Sequence, residues 1–194
     1  MTTVLVRNAA GGRAAVAAVA FGGLAMVALW IPFTLAHGPT SYNEARVVAG
    51  MDMIGWGLLL GVVPNLAIAA GLLVTRHHLT DLRRGSSWAL GVVIAALVGS
   101  ALMDLAFGGL GPPFSLFLLA PASLALALLT SRQGERVAWA CLAVAYVVAI
   151  GLALLPLETS DSFGGYRVFG LFAHVASGLA WVALAGILAR SSDR

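Results

Sequence analysis

Asp52, Asp104 and His174 are ionisable residues that fall inside, or at the edge of, long apolar runs. An ionisable side chain in hydrocarbon is costly, so its place in such a run is informative. A carboxylic acid among apolar side chains can deliver a proton to an unsaturated chain, and tryptophan faces stabilise the positive charge that follows. Asp104 is the candidate acid, and His174 or Asp52 its orienting partner or final base. Helical spacing supplies the walls around them. Trp30, Phe33, Thr34 and His37 follow i, i+3, i+4, i+7, while Asp52, Gly55 and Trp56 share a face. Ser100 and Asp104 stand at i, i+4, and His174, Ser177, Gly178 and Trp181 share a further face. The expected pocket has Trp30, Trp56 and Trp181 as its wall, Ser100 and Ser177 as hydroxyls, and Arg46 and Arg167 near its mouth.

The elements that must carry these residues are membrane helices. Of 194 residues, 60% are hydrophobic and 10% charged, with a mean hydropathy of +0.97, more apolar surface than a soluble domain uses. Six apolar runs can be marked, at 14–36, 51–75, 87–107, 114–130, 137–157 and 168–189. A hydrocarbon core of about 30 Å needs about 20 helical residues, which five runs supply. The fourth is short and carries Pro121 inside it. The expected fold is an all-α, six-transmembrane-helix bundle built as three consecutive hairpins, one membrane domain over 1–194. The first and third hairpins share a pattern: a proline late in the rising helix (Pro32, Pro156), a polar loop, then Glu44-Ala45-Arg46 or Gly165-Tyr166-Arg167 opening the descent. That similarity is weak evidence for duplication.

All eleven basic residues are arginine. Arg7, Arg13, Arg76, Arg83, Arg84, Arg132, Arg136, Arg190 and Arg194 fall on one side of the expected topology, and Arg46 and Arg167 on the other. The asymmetry predicts a multi-pass cell-membrane protein with both termini cytoplasmic. Asp52, Asp104, His174, His37, Glu44, Glu158 and Asp161 then gather towards the outside, whereas Asn65, Ser100 and Tyr146 are the polar groups near mid-depth. The connection from 76 to 86 becomes a cytoplasmic loop holding His77 and His78. Small residues recur at packing distance, with Gly57 and Gly61 as one pair and Gly91, Ala95 and Gly99 as a row, so these faces are expected at helix contacts.

Several chemistries lack their residues. A b-type haem needs two facing membrane histidines, and only His174 lies clearly inside a span. A zinc site from His37, Asp52, Asp104 and His174 has suitable ligand types without a motif. No Gly-rich phosphate loop, HExxH, CxxC or GxSxG occurs, and Cys141 is the only cysteine. The arginines form no clustered basic face of the kind nucleic acid requires. Neither a metal nor a cofactor is expected. Membrane lipids, a lipidic small molecule, and a second copy or a partner membrane subunit are the expected partners.

The function expected is proton-initiated, acid/base chemistry on a lipidic or isoprenoid-like substrate in a pocket near the extracytoplasmic side. The alternatives are a non-catalytic accessory or ligand-binding subunit and a small transporter of an amphiphile, for which Pro64-Asn65 supplies a broken stretch of helix. Each residue also has a structural role open to it. Asp52 can cap its helix, Asp104 can pair with Arg46 or Arg167, and His174 can bond between helices. Tryptophans near helix ends serve as interface anchors, a role that suits Trp88 and Trp139 well.

Overall fold

A computed structural model describes residues 2–37, 47–79, 84–108, 113–154 and 164–192. These are helical almost throughout: α1 (Thr2–His37), α2 (Met53–Leu79), α3 (Arg84–Ala106), α4 (Leu116–Leu129) and α5 (Gln133–Leu154). Then α6 (Gly164–Gly170), a π-helical turn (Leu171–Ala176) and α7 (Ser177–Ser192) run on as one continuous helix. In lipid every backbone N–H and C=O must be satisfied within the segment, which is why such apolar runs form helices. Five stretches are long and apolar enough to cross a membrane: Gly11–His37, Ile54–Arg76, Gly85–Ala106, Gln133–Leu154 and Arg167–Arg190. The 14 residues of α4 follow a 3-10 turn at Pro113–Ser115 and rise about 21 Å at 1.5 Å per residue, less than a full hydrocarbon core. The protein is thus an all-helical, multi-pass membrane protein. Its outer surface carries exposed Phe21, Leu24, Leu73, Leu118, Val144 and Leu179, the apolar face that lipid requires.

Neighbouring helices close a ring in the order α1, α2, α3, α4, α5, α7 and back to α1. Its interior is filled by Ile68, Leu72, Leu97, Leu126, Leu142 and Leu184, all under 3% exposed. Close approaches fix the directions. A Cβ on Gly23 would stand 2.6 Å from the Gly178 carbonyl oxygen, and one on Gly22 would stand 2.7 Å from that of Pro64. Only glycine permits backbones this close. Because Trp30 meets Gly170, and Ala15 and Val19 meet Gly71, α1 runs antiparallel to both α2 and the α6–α7 helix. In α2 and α3, Asn65 bonds Ser100 and Gly61 meets Asp104, which makes that pair antiparallel too. The end of α1, the start of α2, the end of α3 and the start of α6 therefore lie together.

A four-residue turn sits at that end, here termed the turn end. Val48 N–H donates to Met51 O at 2.7 Å, and Met51 N–H returns a bond to Val48 O at 3.1 Å. Ala49 (φ 51°) and Gly50 (φ 83°) both take the left-handed region, the mark of a type I′ turn. At the opposite end, the link from α4 to α5 is tied down by Arg136, whose Nε and Nη2 donate to Thr130 O at 3.3 and 3.2 Å. Arg132 also pairs with the buried Glu135 at 3.2 Å.

Three sequence expectations change. α2 continues to Leu79, so His77 and His78 are helical and not in a loop. Among the described residues the row Gly91, Ala95, Gly99 makes no close helix contact, since a Cβ on Gly91 or Gly99 would meet nothing within 4 Å. Small residues at this spacing suit a lipid-facing surface as readily as a helix crossing. Trp139 is 1% exposed and packs edge-on against Trp181 with centroids 5.6 Å apart, so it is a core residue and not an interface anchor; Trp88 is 78% exposed.

Candidate functional site

Two groups of chemically capable side chains lie near the turn end, on different sides of α2. The first is an aromatic and imidazole cluster between α1, α2 and the start of the last helix. Trp30 and Phe33 are buried, their ring centroids 5.6 Å apart, and Phe33 meets Trp56 at 5.3 Å and His37 at 5.8 Å. His174 lies nearly parallel to Trp30, with centroids 4.7 Å apart and planes 22° from one another. The sequence allows this by leaving no side chain at Gly170, where the Trp30 indole occupies the space of a Cβ. The π-helical turn carries His174 and inserts the extra residue that sets its direction. Such turns are rare and recur at functional sites. The Val48–Met51 turn covers the cluster: Val48 is 2% exposed within it, and Trp56 Nε1 donates to Val48 O at 2.7 Å.

The second group is polar and spans α2 and α3. Asn65 Nδ2 donates to Gly61 O at 2.7 Å and to Ser100 Oγ at 3.2 Å. One turn nearer the turn end, the Asp104 carboxyl lies directly on the Gly61 backbone, in the space any larger residue would fill. Two i, i+4 pairs, Gly61 with Asn65 and Ser100 with Asp104, thus face each other across the helix contact. The Asp104 side chain is partly exposed, so this seam opens to the surroundings of the bundle.

The remaining candidates separate from these two groups. Asp52 is exposed, and its Oδ1 accepts the Gly55 N–H at 2.7 Å while Trp56 N–H bonds its carbonyl. It is the N-cap of α2, a role that carboxylates fill well because they satisfy an orphan donor. Trp181 packs against Gly23, two turns of α1 below Trp30, and donates from Nε1 to Tyr146 OH at 2.9 Å. Ser177 Oγ donates to Ala173 O at 2.6 Å and lies 3.8 Å from Met26 Sδ. Both belong to the core beneath the aromatic cluster. Arg167 is partly buried on α6, and Arg46 lies outside the described residues.

The structure therefore brings Trp30, Trp56 and His174 together, and separately Ser100 and Asp104. Sequence spacing found the buried α1 face of Trp30, Phe33, Thr34 and His37, all 8% exposed or less. It did not find Gly170, the covering turn or the seat of Asp104 on Gly61, because each depends on a partner helix. Among the described residues no three His, Cys, Asp or Glu side chains come together as a metal site. No family model, curated protein or solved structure matches this chain.

Proposed function

We propose that this protein is a membrane-embedded enzyme acting on a lipidic, isoprenoid-like substrate by proton-initiated chemistry, with Asp104 as the acid. The observation that carries the reading is the seat of Asp104. An ionisable group within an apolar helix is held against bare backbone, beside a hydrogen-bonded amide and hydroxyl, yet stays partly exposed. Asn65 and Ser100 orient the polar end of a substrate there, and the apolar helix surfaces receive its chain. Asp52 has no catalytic part in this arrangement, since it caps α2. His174, Trp30 and Trp56 stand on the other side of α2.

That separation favours a second reading, a non-catalytic binding protein for an amphiphile. Lipid extraction from the purified protein, followed by mass spectrometry, distinguishes the two. The enzyme reading expects enrichment of an unsaturated lipid together with an isomer or cyclised product formed on incubation. Recovery of one unchanged compound supports the binding protein.

The membrane arrangement we propose has six crossings, α4 being the short one, with both termini cytoplasmic. The nine-to-two distribution of arginines supports it. Reporter fusions at Thr80 and Thr159 should report cytoplasm and outside respectively, and the reverse pattern would invert the sidedness of Asp104.

A further inference from the structure

The aromatic and imidazole cluster has features that packing alone does not account for. His174 Nδ1 is buried and, among the described residues, accepts or donates no hydrogen bond. Leaving a buried polar atom unpaired costs about 1–3 kcal/mol, yet the last helix departs from α geometry at this very segment. His174 as a residue is only partly buried. The covering turn holds Ala49 in the left-handed region, a conformation that costs a non-glycine residue about 1–3 kcal/mol.

We propose that this cluster is a second binding site, for a lipid-soluble planar ring bearing a hydroxyl or carbonyl oxygen, of the phenol or quinone class. The chemistry follows from what lines it. Trp30, Phe33 and Trp56 are buried against one another, so a ligand ring meets them, in the offset or tilted contact that aromatic rings prefer, only once the covering turn has moved. His174 Nδ1 accepts from a phenolic hydroxyl or, when protonated at that nitrogen, donates to a quinone carbonyl. Apart from the imidazoles of His174 and His37, the lining of Trp30, Phe33, Val48, Trp56 and Leu60 is apolar, so a charged head such as a phosphate would exchange its hydration mostly for rings and aliphatic chains. A neutral ring loses little. Entry requires the Val48–Met51 turn to shift, and the Trp56 bond to Val48 O is the tie that it breaks. This inference does not depend on the role of Asp104.

The test is titration of the purified, detergent-solubilised protein with decylubiquinone and its reduced form, read by tryptophan fluorescence. Trp30 and Trp56 lie in the site, so saturable quenching is expected. His174→Phe keeps an aromatic ring on Trp30 and removes both nitrogens, and it should weaken binding about tenfold, the loss of one buried hydrogen bond. Cys141→Ser, on the exposed surface of α5, should bind as the parent does. Quenching that rises without saturation, as for simple partitioning into the micelle, overturns the proposal, as does a folded His174→Phe variant with parental affinity. If His174→Phe does not fold, the infrared carbonyl band of the quinone on the parent protein decides. A shift to lower frequency relative to empty micelles supports a hydrogen bond, and an unshifted band overturns the site.

Discussion

Asp104→Asn is expected to lower turnover of the lipidic substrate by about 10²–10⁴-fold, the usual contribution of a positioned general acid, while the bundle stays folded and still binds. Asparagine matches the carboxyl in size and fits the same seat on Gly61, but it has no acidic proton to give. A fall in kcat with little change in KM is therefore the signature. If Asp104 serves instead as a structural charge partner, the same variant loses thermal stability, because an arginine is left unpaired in a poorly solvated place. If the carboxylate couples transport, uptake loses its pH dependence and no product forms. Gly61→Ala is the companion variant. It leaves the acid chemically intact and pushes the carboxyl off α2, so activity should fall by an intermediate factor. Full activity in a folded Asp104→Asn protein would rule out the acid assignment.

The membrane character was legible because it rests on sums over whole runs, and five of the marked runs became long helices. The face of α1 that carries Trp30, Phe33, Thr34 and His37 was legible for a related reason: over Gly11–His37 the helix keeps its regular period, and the residues at that period are buried together. The corresponding face of the last helix was legible as well: His174 meets Trp30, Ser177 meets Met26, and Gly178 and Trp181 meet Gly23, all on α1. His174 joins the aromatic cluster near the turn end, while Ser177 and Trp181 lie deeper along the same α1 contact, in the core. What was not legible is the π-helical turn at 171–176, which overlaps the start of the His174 to Trp181 row. No residue pattern in Leu171–Ala176 announces the extra residue.

Glycine spacing misled for a different reason. Gly61, expected at a helix contact, does lie at one, whereas Gly91 and Gly99 follow the same small-residue rule and do not; the other crossings use Gly22, Gly23, Gly71 and Gly178. What separates the two sets is which neighbour lies opposite, and a single helix does not encode that. Asp104 shows the same limit. Its i, i+4 relation to Ser100 could be read along one chain segment, whereas its seat on Gly61 required α2 to be placed beside α3.

Trp30→Ala and Gly170→Leu should each destabilise the protein severely, and their combination should cost less than the sum. Trp30 is 1% exposed and touches Phe33 and His174, so truncation removes the centre of the aromatic cluster. Such a change in a packed core costs about 3–5 kcal/mol. Gly170→Leu acts from the opposite side, because its side chain would enter the volume held by the indole. Either the last helix moves away from α1 or Trp30 leaves its stack on His174. Overpacking of this kind costs about 1–3 kcal/mol. With Trp30 already reduced to alanine, the leucine at position 170 enters the vacated volume, and a favourable coupling of about 0.5–3 kcal/mol is expected between contacting residues. Denaturation of all four proteins in one detergent measures it, and strict additivity would mean that Trp30 and Gly170 do not share this contact. The same set reports on the quinone site. Trp30→Ala removes the ring that stacks on His174, so the double variant should recover stability without recovering ring binding.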